Sequence, residues 1–333
     1  MLNTKLILVE GLAGTGKSTM AQFIEDQFKK NGFNARWYHE GNDDHFFWIP
    51  LTGLFDGEYF TSEENRNAFM PIILKTCHEM VEVSQKENKV FIFDVLFYHG
   101  IASTLDLNGF SQNEIAEYLK QVETILAPMN PLIVFYTTEQ IRKHTNSTWD
   151  KRCKWGKDEI IKFCEEIPFI KALGLKGDDA LVCENERYQN LAKYLFDLSE
   201  LNKITFVMDN ENYQEYRKMV LNKLDLKYIS NDFVVADQTG YLGIYDDLNE
   251  NDPSNMVIRI VDNELICDWG RKNLVLDPVE TNVFSLRSYP TYLRFTKDET
   301  GVFTGIETFG HQAYQRSGCI FKRVEISKYP LLD

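Results

Sequence analysis

"KLILVEGLAGTGKSTMAQFI", residues 5–24, decides the reading of the first half of this chain. The apolar run Lys5–Glu10 reads as a buried parallel strand that ends in glycines. Met20, Phe23, Ile24 and Phe28 then recur at helical spacing, with Gly32 as a stop. Between strand and helix, Gly11, Gly16, Lys17 and Ser18 occupy every fixed position of G-x-x-x-x-G-K-[ST]. A turn that merely joins strand to helix has no need of Lys-Ser at its end. The glycines let the backbone wrap a phosphate at a helix N-terminus. Gly11, Ala13, Gly14, Thr15, Gly16, Lys17, Ser18 and Thr19 are therefore expected to hold a nucleotide's phosphates. Lys17 would reach the β- and γ-phosphates, and the Ser18 hydroxyl would ligate Mg2+. The expected cofactors are ATP, with GTP left open, and Mg2+.

Four further apolar runs read as strands: "NARWYHE" (34–40), "KVFIFD" (89–94), "PLIVFYTT" (131–138) and "KITFVMD" (203–209). Residues 44–89 read as mostly helical with a glycine-containing loop near "TGLFDGEYF". "SQNEIAEYLKQVETILAPMN" is an amphipathic helix stopped by Pro128. Lysine-rich helical sequence runs to about Asp197, and "ENYQEYRKMVLNKL" closes the region. Strands alternating with helices predict an α/β fold, a parallel sheet covered on both faces. The pattern changes near Lys227. Short alternating runs follow, broken by Gly, Asn and Asp, with hairpin signals in "VDNELI" and "TKDETGV". This predicts a P-loop domain over 1–226 and a small antiparallel β domain, barrel or sandwich, over 230–333.

The bulk composition sets outer limits. The chain has 333 residues, 44% hydrophobic and 26% charged, which suits globular domains with real cores. Its 36 Lys+Arg against 50 Asp+Glu leave a net charge of -14, which disfavours general binding to nucleic acid or anionic lipid. Six scattered cysteines without a CxxC pair predict free thiols in a reducing compartment. No charged-then-apolar leader precedes the first strand, so a cytoplasmic protein is expected. The expected partner is a small-molecule acceptor, with no nucleic acid, no membrane, and a homodimer left open.

Chemistry beyond the phosphate loop needs further parts. "VFIFD" puts Asp94 at the tip of a strand beside the loop, where it would hold Mg2+ or its water. A GTPase would add a guanine-reading Asn-Lys-x-Asp. Asn222, Lys223 and Asp225 spell it, but Tyr213, Tyr216, Val220 and Leu224 place the string in the closing helix. No Asp-x-x-Gly follows "VFIFD" either. Phosphoryl transfer to a bound acceptor instead calls for a carboxylate near that acceptor and cations over the moving group. Glu40, after the second strand, is the candidate carboxylate, with a solvated loop acid as the bland alternative. "EQIRKHTNSTWDKRCKWGK" is the most basic stretch, and Arg142 and Arg152 are its candidates because guanidinium forks fit phosphate oxygens. Phe46, Phe47, Trp48, Phe55, Tyr59, Phe60 and Phe69 are read mostly as core, with a planar acceptor stacking on one or two of them as the functional alternative and Arg66 as a candidate anion contact. His39, Asp43, Asp44 and His45 match no standard metal spacing and are read as loop residues. The expected activity is ATP- and Mg2+-dependent transfer of the γ-phosphoryl group to a small hydroxylated or phosphorylated acceptor, be it a nucleoside, a nucleotide or another metabolite. The rival is a P-loop ATPase or GTPase switch with the β domain as a partner-binding module.

On "VEGLAGTGKST", "YHEG", "FIFD" and "LIVFYTTEQIRKH" the chain resembles the thymidylate-kinase and deoxynucleoside-kinase group of P-loop kinases, over roughly residues 1–225. That resemblance implies a sheet order 2-3-1-4-5, Glu40 near the acceptor hydroxyl and Arg142 at the start of a lid. Members often carry Arg or Ser just after the third-strand acid, whereas Val95 and Leu96 follow Asp94 here. The β domain is similar in rhythm to the small lipocalin-like module appended to serine β-lactamase-like hydrolases. Such barrels hold a small ligand, cap a neighbouring site, or serve only as an appendage.

Overall fold

A computed structural model describes residues 3–150, 154–210, 212–231, 233–235, 237–248, 255–312, 314 and 316–324. They form two compact units, one running to Ile229 and one from Ser230, with Gly41–Asp43 counted in the second.

The first unit is built on β1 (Leu6–Gly11), β2 (Ala35–Tyr38), β3 (Val90–Asp94), β4 (Leu132–Thr137) and β5 (Asn202–Val207). All pair in parallel, in the order 2-3-1-4-5. Strand alternation divides the core in two. Leu6, Leu8, Phe91, Phe93, Ile133 and Phe135 face one side, packed with residues of α2 (Glu63–Glu87), α4 (Gln112–Leu126) and α8 (Asp178–Leu198). Ile7, Val9, Val90, Ile92, Leu132 and Val134 face the other, packed with α1 (Lys17–Lys30) and α9 (Tyr213–Leu224). Helices cover both faces, so every β1 residue is buried.

The region after β2 is less helical than its sequence predicts. Residues 44–62 hold only a 3-10 turn, Ile49–Leu51, and a short hairpin of Phe55–Asp56 and Tyr59–Phe60. Pro50, Gly53 and Gly57 explain the difference, because each interrupts the helical pattern. Continuous helix begins only where the Ser62 side chain caps α2. After β3 a π-helical turn, Phe97–Ala102, leads into α3 (Ser103–Leu107). After β4 come α5 (Ile141–Asp150), α6 (Lys154–Glu166) and α7 (Pro168–Leu173).

The second unit is a closed antiparallel barrel. Its strands are β6 (Gly243–Asp247), β7 (Met256–Val261), β8 (Glu264–Asp268), β9 (Leu274–Glu280), β10 (Val283–Leu286), β11 (Thr291–Lys297), β12 (Phe303–Gly310) and β13 (Ile320–Val324). Neighbours in sequence pair in space, and β13 returns to β6, so no edge is left. Asp262 and Asn263, at φ 50° and 66°, make the tight turn between β7 and β8. Asp298 organises the turn before β12, accepting from the Thr300 and Val302 N–H groups at 2.9 and 3.1 Å. The interior is filled by Tyr241, Tyr245, Leu265, Phe284, Phe295, Phe321 and their neighbours.

Among the described residues no helix is long and apolar enough to cross a membrane. Their five cysteines are free thiols.

Candidate functional site

The phosphate loop lies between β1 and α1, at the edge where the parallel strands end. A side chain at Gly11 would put its Cβ 2.5 Å from the Tyr136 carbonyl oxygen of β4. Gly14 has φ +80°, and a Cβ there would collide with the Thr148 side chain. Gly16 is the N-cap of α1. The Leu12 carbonyl accepts from the Lys17 ammonium and the Thr15 hydroxyl, both at 2.8 Å. His144 Nε2 donates to the Ala13 carbonyl at 2.9 Å. Two carbonyls of the loop are thus held by side-chain donors. A loop that offers N–H groups to an anion requires this, since a carbonyl facing the anion would repel it.

Asp94 is fully buried at the tip of β3, directly across the ladder from Val9. Its Oδ1 accepts from Trp37 Nε1 at 3.1 Å and from the Glu40 N–H at 3.2 Å. The Ser18 hydroxyl also hydrogen-bonds this carboxyl group. Its Oδ2 is buried without a partner. Desolvation raises the Asp94 pKa and Glu40 adds to the rise, while the nearby His39 charge and the Ser18 and Trp37 hydrogen bonds oppose it. An orphaned carboxylate oxygen beside a P-loop serine fits Mg2+. That ion keeps several waters and takes only one or two protein oxygens alongside substrate phosphates. Among the described residues no cluster of three His, Cys, Asp or Glu side chains forms a self-sufficient metal cage.

Glu10 is a residue whose role the sequence hides. It is fully buried, and its carboxylate accepts from the N–H groups of Leu96, Phe97 and His99 at 3.0, 2.5 and 3.4 Å. It therefore ties the turn after β3 to the phosphate loop. Desolvation raises its pKa against the pull of those three bonds and of Lys17. The turn it holds contains Val95 at φ +69°, a strained conformation for a β-branched residue. An Arg or Ser at this position would extend polar reach into the site. Val95 and Leu96 instead are buried.

The wall beyond the loop is made by His99 and α8. The His99 ring stands 4.9 Å from that of Tyr188, whose hydroxyl donates to the Gly11 carbonyl at 3.5 Å. His99 is solvent-accessible, yet desolvation and then the Lys17 charge push its pKa down to about 4. One turn earlier on α8, about 6 Å along the axis, Glu184 holds a buried, unpartnered Oε2. Its pKa rises to about 7, chiefly by desolvation, with Asp106 adding and Arg187 opposing. The Tyr59 hydroxyl is likewise buried and unpartnered, and it feels the charges of Glu184, Arg187 and Glu58. Arg187 pairs with Asp106 at 2.7 Å and stacks over Phe169 at 4.0 Å. The signal for Glu184 in the sequence is an acid inside the buried stripe Ala180, Leu181, Tyr188, Leu191 of a helix.

The other sequence candidates are spread more widely. Glu40 is exposed, with its backbone on Asp94. Arg142 forms an ion pair with Asp179 at 2.7 Å, and both are about 60% exposed. At about 100° per residue, Arg142 lies across α5 from His144 and Thr148, the residues that meet the loop. Lys157 pairs with Asp150 and Asp178 at 2.7 and 3.1 Å. Arg152 lies outside the described residues. Arg66 stacks on Phe110 at 4.5 Å. Phe47 and Phe69 are core, and Trp48 stacks on His45 at 4.5 Å. His45 Nδ1 accepts from the Phe47 N–H at 3.3 Å, and burial holds the ring neutral, with a pKa near 3. The string Asn222–Asp225 lies at the opposite edge. There Lys223 and Asp225 line a groove of about 330 Å³ with Asn3, Asn130 and Asn202. No base attached to phosphates in the loop reaches it, and the guanine-switch reading loses its main support.

No family model matches the chain. Over 104 residues it is 31% identical to a probable thymidylate kinase of Thermococcus onnurineus, covering 29% of this chain and 51% of the relative. A probable thymidylate kinase of Thermococcus gammatolerans is 28% identical over 104 residues, covering 29% and 50%. The chain thus spans about half the length of the curated relatives it matches. This distant likeness supports a P-loop kinase-like region and, in general terms, a nucleotide phosphotransferase.

Proposed function

We propose that the first unit is an ATP- and Mg2+-dependent phosphotransferase acting on a hydroxyl group of a small acceptor. One observation carries the reading: the Asp94 Oδ2, buried and without a partner, belongs to the carboxyl group that the Ser18 hydroxyl bonds, beside the phosphate loop, and the Tyr59 and Glu184 oxygens are buried and without partners as well. Two buried oxygens lacking hydrogen-bond partners suit an acceptor that brings hydroxyl or amine groups. Gly11–Thr19 would hold the phosphates, with Lys17 swinging from the Leu12 carbonyl onto the β- and γ-oxygens. Ser18 and Asp94 would hold Mg2+, which when bound neutralises phosphate charge.

In the transfer the acceptor oxygen forms a bond to the γ-phosphorus, and the bond from that phosphorus to the β–γ bridging oxygen breaks. The acceptor's proton passes to the Glu40 carboxylate, and ADP leaves. Arg142 is proposed to act in a closed lid, which requires release from Asp179. Arg152 is proposed beside it. Localisation in the cytoplasm and a homodimer remain proposals on the sequence.

A panel of nucleosides, nucleoside monophosphates and other hydroxylated metabolites, assayed for acceptor-dependent ADP release, tests the proposal. Calorimetry with MgATP and MgGTP runs beside it. Folded protein that binds neither nucleotide sinks it, as does hydrolysis that no acceptor stimulates.

A further inference from the structure

The barrel carries its own unexplained polar feature, independent of the phosphate loop. Arg316 is half-buried, and its guanidinium lies between two aromatic faces, 4.6 Å from the Trp269 ring and 4.7 Å from the Tyr289 ring. Its Nη1 is buried without an acceptor. Stacking uses the faces of the guanidinium plane, whereas its five N–H donors project from the edge. The clamp therefore fixes the cation while leaving that donor unspent. A buried donor without an acceptor destabilises the fold unless a ligand supplies one. In a chain of net charge -14 the ion pairs formed among the described residues do not include Arg316.

A second orphan belongs to the same region. Thr291 is the first residue of β11, two residues after Tyr289 in the preceding turn, and it shares the inward face of the strand with Leu293 and Phe295. Thr291 is fully buried and its hydroxyl has no partner. Aromatic and aliphatic side chains line the barrel interior around them. The glycine turn at Gly270, φ +64°, brings backbone close to Arg316, where a Cβ would lie 3.4 Å from Nη2.

We propose that this end of the barrel binds the oxyanion of a small ligand, a carboxylate or a phosphate group, with Arg316 as the fork and Thr291 as a further donor. A clamped guanidinium presents a planar pair of donors, the geometry that two oxygens on one atom satisfy.

The test uses the full chain carrying Lys17→Ala, which takes the phosphate loop's lysine out of the measurement. Inorganic phosphate and benzoate are titrated separately by calorimetry. Saturable millimolar or tighter binding is expected in at least one arm, and the arm that binds distinguishes phosphate from carboxylate. Adding Arg316→Gln is expected to weaken that binding at least about tenfold. Thr291→Val, which keeps the packing shape, is expected to weaken it several-fold. Should Arg316→Gln unfold the barrel by circular dichroism, Arg316→Lys keeps charge and stem but loses the fork, and weaker binding is again expected. Binding of neither anion, or binding that the folded Arg316 variant leaves unchanged, overturns the proposal.

Discussion

The two edges of the parallel sheet treat their polar groups in opposite ways. At the edge where strands begin, polar side chains satisfy one another. Asn202 donates to Asn130 at 2.9 Å, and Asn130 donates to Thr4 at 3.3 Å. Lys203 donates to the carbonyls of Phe196, Asp197 and Ser199. At the edge where strands end, Asp94 is left with a buried oxygen short of a partner, and Glu184 on α8 and Tyr59 in the hairpin are left short as well. Unmet hydrogen-bonding capacity costs stability, so these oxygens at the strand-end side suit the ligand edge proposed above. Parallel strands bring this about, because they deliver every strand tip to one side.

Substitutions at the ligand edge should therefore damage turnover far more than folding. Lys17→Ala is expected to lower kcat at least about 100-fold, with a melting temperature close to wild type. Steady-state kinetics on any acceptor found by the ADP-release screen checks this. Asp94→Asn is expected to lower kcat by about 10- to 100-fold and to raise the Mg2+ concentration needed for half-maximal rate. Because burial already disfavours the charged form of Asp94, removing that charge is expected to leave thermal stability equal or higher. A melting temperature that falls by many degrees would place Asp94 among the structural groups and break the contrast between edges.

Glu184 sharpens the contrast through pH. Its pKa is raised from 4.5 to about 7 by burial. Between those values the folded state holds a proton that the unfolded state has released. Stability therefore falls as pH rises through this window. Below pH 4.5 both states are protonated and the loss is absent. Urea unfolding at pH 5 and pH 7.5 is expected to show a smaller drop for Glu184→Gln than for wild type. Equal drops would mean that the Glu184 carboxyl is solvated and its pKa is not raised by burial.

Much of this was legible in the residues themselves. Strand–helix alternation and the full spacing from Gly11 to Ser18 specify a local structure almost by themselves, because backbone shape and hydrogen bonding there depend on few partners. Sheet order came from resemblance, and the structure has that order. The hairpin turns at Asp262–Asn263 and Asp298–Thr300 were readable from turn chemistry. Long-range placement was not. Glu10 reads as one acid before a loop, and only folding brings Leu96, Phe97 and His99 onto it. Glu184 hides because a helical period does not say which element will cover it. Arg142 stands in the basic stretch, but its partner Asp179 is 37 positions away and invisible to any local pattern. The glycine-containing loop near residues 52–60 is legible, whereas the apolar density of residues 44–51 suggests helix where the structure has only the turn Ile49–Leu51.

The opposite edge supplies the mildest test. Asn130 adopts a left-handed conformation, φ 45°, at the end of the turn Ala127–Met129. Glycine tolerates that backbone, so Asn130→Gly removes the amide without adding steric strain. Lost with it are the bonds to Thr4 and Asn202, both partly exposed. A net cost of about 1 kcal/mol is expected, which in a unit of this size lowers the melting temperature by about 2–4 °C. Turnover should not change, since the phosphate loop and Asp94 lie at the other ends of the same strands. A kcat that fell severalfold in folded Asn130→Gly would show that strand beginnings transmit to strand ends. The partition of stability to one edge and chemistry to the other would then fail.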